Sequence, residues 1–182
     1  MVSDEFLKGG ILSGILRAKS LEEVFNLLSG CSFIGDFLAY QYAIDFNYSP
    51  YLNYSENSFV KAGIGAVRGI IKCFKAHGSS HEDTIRYIQN NLGELREKYG
   101  YTHFRALPSR EPTLIDLQNC FCETDKYLRA KMPDLLVGNI RIKQHYRKNT
   151  NTIDYMFPPK WNITTKLHPT CIQRPTKELT LY

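Results

Sequence analysis

Between Leu27 and Phe74 the chain reads LLSGCSFIGDFLAYQYAIDFNYSPYLNYSENSFVKAGIGAVRGIIKCF, and twice within it a glycine-bearing turn runs straight into an apolar helix. The first turn, Gly30 to Gly35, precedes Asp36-Phe37-Leu38-Ala39. The second, Gly63-Ile64-Gly65, precedes Ala66-Val67-Arg68. Glycine lets a backbone turn tightly and approach a neighbour closely, and the helix that follows points its first N–H groups outward. A chain built this way must bring two helix starts to tight turns.

The second turn has the order hydrophobic-Gly-hydrophobic-Gly-Ala, the pattern of a helix-hairpin-helix turn. A helix start is a ready anion site, most often for phosphate. Arg68 and Lys72 follow one turn apart, spaced to flank a nucleic-acid backbone. Gly63, Gly65, Arg68 and Lys72 are therefore candidate DNA contacts. An ordinary helix connection, with glycine for close packing, explains the same turn.

With 182 residues the chain fits one domain with a tail and is long enough to bury a sizeable core. The net charge of +5 is unevenly spread. Residues 1–60 carry 3 Lys/Arg against 7 Asp/Glu, and residues 61–182 carry 20 against 11. That asymmetry suits a basic face for a polyanion or a solvated basic surface. Five cysteines without a CxxC pair point to reduced thiols in a cytosolic setting. Cys73, His77 and His81 fall at i, i+4, i+8, but Gly78-Ser79-Ser80 ends the helix before His81, so no metal or other cofactor is called for. The sequence shows no signal peptide and no apolar run of membrane-spanning length.

Taken in order, the chain reads as helices. Residues 4–18 have helical apolar spacing despite three glycines, and Ser20-Leu-Glu-Glu has the form of a capping box opening a helix to Leu28. The helix Asp36 to Asn47 is dense in apolar residues yet carries Gln41 and Asp45 one turn apart, either in a core network or in a pocket. Asn47 to Asn57 is a tyrosine-rich loop whose Tyr48 either stacks on bases or covers the core edge. A helix follows Gly65 to about Ala76, another opens at Ser80 or His81 and runs to about Lys98, and Ser109 to Pro112 is a break.

The next helix, Thr113 to Lys131, places Asp116, Asn119 and Glu123 on one stripe. Two carboxylates flanking an amide can hold a nucleoside, one serving as general base or counter-charge to a developing sugar cation. A salt-bridged surface stripe is the other reading. Beyond Pro133 come Arg141, Lys143 and further cations to Lys148, then Phe157-Pro158-Pro159-Lys160-Trp161, an extended segment presenting the only tryptophan beside a lysine. Residues 1–163 are expected as one helical domain and 164–182 as a loosely held tail.

The combination FIGDFLAYQYAIDFNYS, ENSFVKAGIGAVRGIIKCF, LIDLQNCFCETDKYLRAKMPD, RIKQHY and FPPKW resembles the helical domain found with 5-hydroxymethyluracil DNA kinases, and is similar to the alpha-glutamyl-putrescinyl thymine pyrophosphorylases of phages. The resemblance spans roughly residues 25–163. It implies an all-α fold related to helix-hairpin-helix DNA glycosylases, acting on DNA that carries modified pyrimidines, with other base-modification enzymes as further partners and no membrane. In that family's pattern proline stands where this chain has Ile64, and Gly-Pro-Phe where it has Gly35-Asp36-Phe37. No Gly-x-x-x-x-Gly-Lys-Ser/Thr stretch occurs, so the phosphate-cradling loop of a kinase is missing.

Two functions follow. The favoured one is an enzyme that cleaves or substitutes at a modified pyrimidine flipped from DNA, with Asp116, Glu123 or Asp45 as the acidic group and Tyr40, Gln41, Asn119 and Tyr48 around the base. The other is a binding or scaffolding module that makes no bond itself. Glycosylases place a catalytic Asp about twenty residues beyond the hairpin glycine; that count lands near Asp83 from Gly65 and near Glu56 from Gly35. Gly63, Gly65, Arg68, Lys72, Arg141, Lys143, Lys160 and Trp161 are the expected DNA contacts, and Gln41, Asp45, Asp116, Asn119 and Glu123 are expected to share one pocket.

Overall fold

In a computed structural model, residues 2–135 and 156–163 are described. They form α1 (Val2–Leu7), α2 (Ile11–Arg17), α3 (Leu21–Ser29), α4 (Asp36–Asn47), α5 (Ile64–Cys73), α6 (His81–Asn90), α7 (Leu92–Lys98) and α8 (Leu114–Lys131), with a 3-10 turn at Pro159–Trp161. Among the described residues there is no strand, only a lone bridge between Leu107 and Arg110. The fold is all-α. The basic stretch containing Arg141 and Lys143 and the tail 164–182 lie outside the described residues.

Helix starts follow local chemistry. The Ser20 hydroxyl accepts the Glu23 N–H, while the Glu23 carboxylate reaches back one residue further, to Lys19 N at 2.7 Å. Ser80 and Asp83 close a full capping box on α6, as do Thr113 and Asp116 on α8, satisfying N–H groups that would otherwise lack partners. The single helix expected over 4–18 is two, because Gly10 sits at φ 79 in the left-handed region and turns the chain between α1 and α2. The helix expected to run from 81 to 98 is likewise interrupted, since Asn91 leaves helical geometry at φ −114. α5 stops at Cys73, three residues short of the expected end.

Two helix pairs carry the packing, α5 on α8 and α3 on α4. The core draws on helices from both halves of the fold. Ile15, Leu21, Val24 and Leu28 from α2 and α3 meet Ala39, Tyr40, Ala43 and Ile44 of α4, with Ile70, Ile85 and Leu114 from the other half. The α5–α8 contact depends on glycine. A Cβ at Gly65 would lie 2.5 Å from Cys122 Sγ, and one at Gly69 would lie 2.1 Å from the Phe121 carbonyl oxygen. The second is a clash with backbone, which a rotamer change cannot relieve.

Gly69→Ala is therefore expected to destabilise the protein by about 2 kcal/mol or more, lowering Tm by roughly 4–8 °C in a thermal melt. Gly93→Ala, in α7 with nothing within 4 Å of the added Cβ, is expected to leave Tm unchanged or slightly raised.

Candidate functional site

Arg110, in the loop before α8, gathers groups from three distant parts of the chain. Its Nη1 donates to Asp116 Oδ2 at 2.6 Å, and its Nη2 donates to Glu56 Oε2 at 2.6 Å and to Thr113 Oγ1 at 3.0 Å. The flat guanidinium also covers the Trp161 ring, 3.8 Å from its centroid, and Trp161 Nε1 donates to Glu56 Oε1 at 2.9 Å. A planar fork with five donors suits this position, since it can bridge two carboxylates while stacking on an aromatic face. The Thr113 hydroxyl lies 3.1 Å from Glu56 Oε2 and 3.0 Å from Asp116 Oδ2, so these two carboxylate oxygens are within about 6 Å of each other.

The two carboxylates differ in what they have left to offer. Glu56 uses both oxygens and is 10% exposed. Every hydrogen bond Asp116 accepts among the described residues, from Arg110, Thr113 N and the Thr113 hydroxyl, falls on Oδ2, and its side chain is 34% exposed. Oδ1 of Asp116 thus remains open on a carboxylate that is otherwise held firmly in place.

Around this centre burial dominates. It opposes the charge of Arg110, yet the hydrogen bonds and charges of Asp116 and Glu56 outweigh it and hold the guanidinium above its usual range. Tyr48, edge-on to Trp161 at 5.4 Å, has its phenol pushed well above the ordinary value by burial and then by the Glu56 charge. Tyr40 is shifted the same way, by burial first and Tyr48 next. Lys160 is pulled down by burial, with Glu56 opposing, and its ammonium donates to the Asn47 carbonyl at 2.5 Å. Asn47 itself clamps the loop, its amide exchanging two hydrogen bonds with the Tyr54 backbone.

Arg110 and Asp116 stand on the wall of a groove of about 1260 Å³ between α6, α7, the loop to Pro112 and α8. Its lining is largely apolar and includes Tyr87, Tyr99, Tyr101 and Phe104.

The expected site residues fall into separate places. Asp116 and Tyr48 belong to the Arg110 centre, and Trp161 and Lys160 lock the Phe-Pro-Pro-Lys-Trp segment onto it. Tyr40 is 1% exposed, its hydroxyl directed at the Phe59 carbonyl, so it has no ring face to offer a base. Asp45, Asn119 and Glu123 are exposed, and Glu123 pairs with Lys126 on the outer side of α8. The single pocket expected for Gln41, Asp45, Asp116, Asn119 and Glu123 is accordingly corrected, because Asp116 faces Arg110 while Asn119 and Glu123 project to solvent. Gln41 is half-buried, its Nε2 without a hydrogen-bond partner among the described residues.

The contacts expected of the Gly63–Gly65 turn are also redrawn, since residues 48–63 hold no helix and the turn is not flanked by two helices. Lys72 Nζ lies 2.7 Å from Asp125 Oδ1, with side chains 1% and 2% exposed, so its charge is spent inside the α5–α8 interface and is not presented to a phosphate. Gly63 and Gly65 serve packing: a Cβ at Gly63 would meet the Phe37 ring at 2.8 Å, and Gly65 faces Cys122. Arg68 is half-buried on α5. Of the two positions reached by counting from a glycine, Asp83 is the capping residue of α6 and Glu56 lies in the Arg110 centre. Arg110 itself went unnoticed in a segment read only as a break. The signal that was present is Thr113-x-x-Asp116, a capping signature placing a carboxylate at the helix start, within reach of the loop before it.

An all-helical domain with a carboxylate–guanidinium centre on the wall of an aromatic groove defines the class. The chain belongs to the family described as 5-hmdU DNA kinase, helical domain, whose model matches residues 1–136. This is a helical domain of DNA modification, associated with DNA bearing modified bases. No curated protein and no solved structure matches the chain. Among the described residues no helix is long and apolar enough to cross a membrane.

Lys72→Met is expected to destabilise the protein in chemical denaturation, by less than the about 3–5 kcal/mol of a fully stranded buried charge, because Arg129 Nε stays 3.3 Å from Asp125 Oδ2. For the phenols the sign is clear. A raised folded-state value means that stability is fully present below the unfolded tyrosine value of about 10 and is lost progressively as pH climbs from there through the higher folded-state value. Denaturation midpoints are therefore expected to fall above about pH 10, and Tyr48→Phe is expected to flatten part of that fall.

Proposed function

We propose that this domain binds DNA carrying modified pyrimidines and acts, in the manner of a DNA glycosylase, on a base extruded from the duplex, cleaving or substituting at its glycosidic bond. The observation that supports this most is the state of Asp116. It is fixed through one oxygen by Arg110 and the α8 capping box, open through the other, and set on the wall of a groove large enough for a nucleotide and its neighbours. Held so, the Oδ1 atom can take a proton from an attacking water or stabilise positive charge developing on the sugar, while the aromatic lining receives the base. Asp45 and Glu123, exposed and remote from Arg110 in their bonding, are the lesser candidates for this role.

A second reading has its own observation. Asp116 already closes a helix cap and an ion pair, a sufficient structural reason for a carboxylate there, and a module that only binds modified DNA would need nothing more.

The two readings separate in one experiment. The pure protein is incubated with DNAs bearing unmodified, hydroxymethylated and further-substituted pyrimidines, and released bases and remaining nucleosides are measured by mass. Loss or exchange of a modified base is expected, abolished in Asp116→Asn with DNA binding near normal and Tm within a few degrees of wild type. Unchanged DNA in every incubation, despite binding, favours the module; base release retained in Asp116→Asn moves the role to another carboxylate.

A further inference from the structure

The segment Leu95-Arg-Glu-Lys-Tyr-Gly-Tyr-Thr-His-Phe-Arg105 sets three aromatic residues, Tyr99, Tyr101 and Phe104, among the cations Arg96, Lys98 and Arg105, with Glu97 as its one carboxylate. Tyr99, Tyr101 and Phe104 are 65%, 57% and 49% exposed, and Tyr87 on α6 adds a fourth ring at 58%, all lining the same groove. So many rings left in water on one face are unusual for a surface with no partner. Gly100, at φ 73, makes the left-handed turn that separates Tyr99 from Tyr101. The cations lie among the rings. Arg96, held by Glu111 at 2.7 Å, stands 4.2 Å above the Phe104 ring, and Lys98 is 5.9 Å from the Tyr99 ring. Arg105 is exposed, and neither it nor Lys98 has an ion-pair partner among the described residues. Along the whole groove the charged lining is Arg96, Lys98, Arg105 and Arg110 against Asp116 alone.

We propose that this run is a stacking platform for single-stranded DNA, taking the nucleotides that flank the base presented to Asp116. The proposal rests on the reading above that DNA is the substrate, and it names the form the DNA takes. Rings exposed beside unpaired cations suit a strand whose bases have left the duplex, because every base has a flat face to stack and every linkage a phosphate to neutralise. A purely apolar protein partner would leave Lys98 and Arg105 without a counter-charge on burial.

Fluorescence anisotropy with a short labelled thymidine oligonucleotide and its matching duplex, across a salt series, tests this. The single strand is expected to bind more tightly than the duplex. Tyr101→Ala/Phe104→Ala should weaken it about tenfold or more, and Lys98→Ala/Arg105→Ala should make the salt dependence shallower by about one logarithmic unit of slope. Tyr51→Ala, at a tyrosine 78% exposed outside the groove, is the control and should change nothing. Circular dichroism of each variant verifies the fold. Wild-type affinity in a folded Tyr101→Ala/Phe104→Ala variant overturns the platform, as does uptake of a hydrophobic dye into the groove that the oligonucleotide does not displace, which would assign the face to a protein partner. Binding of the duplex without the single strand overturns the platform and leaves the proposed function standing; binding of neither overturns both.

Discussion

The approach of α5 to α8 is the contact on which the rest of the structure depends. Gly65 and Gly69 lie one turn apart on α5, and the second allows the Phe121 carbonyl into space a methyl group would occupy. At that separation the Lys72 ammonium has no way out to solvent and closes on Asp125. Such a pair contributes little net stability against apolar residues of the same size, but it strongly penalises any register in which one partner is buried alone. The glycines therefore set the distance and the ion pair sets the register.

Once α8 is placed, its first turn determines the site. Asp116 serves as the capping carboxylate of that turn, so its position follows from the helix start, and Arg110 in the preceding loop comes within reach of it. Arg110 then draws in Glu56 from the loop after α4 and stacks on Trp161. A lysine ammonium could sit between these carboxylates but could not at the same time lie flat on indole. Two atoms of the cluster have no hydrogen-bond partner among the described residues, the buried Nε of Arg110 and the second oxygen of Asp116, and the second of these adjoins the groove.

The groove and the Gly63–Gly65 turn divide the features that nucleic-acid binding requires. The Gly63–Gly65 turn, which has the look of a phosphate site, is taken up with packing, and Lys72 on the helix that follows is buried. The exposed rings lie instead on the run from Arg96 to Arg105, with Lys98 and Arg105 lacking an ion-pair partner among the described residues. Membership in a family of helical domains associated with modified DNA gives that surface a chemically consistent partner.

Much of the helical frame was legible in the sequence. The spacing of apolar residues marked α4 from Asp36 to Asn47 and α8 from Thr113 to Lys131, and Ser20 and Ser80 marked helix starts, because periodicity and capping are interactions over three or four residues that any reader of the chain can see. The break at Gly10 escaped that reading, since apolar spacing carries on across a glycine whose conformation is chosen only when two helices pack. The centre was less legible. Arg110 and Glu56 are 54 residues apart, and Lys72 and Asp125 are 53 apart. Sequence spacing carries no information about which charges will meet across such distances. Lys72 one turn beyond Arg68 looks the same whether it faces water or a carboxylate, and Asp116, Asn119 and Glu123 look equivalent on a helical stripe. Burial separated them: desolvation makes a charge without a partner costly, so only the packed structure decides which charges are spent in pairs and which remain available to a ligand.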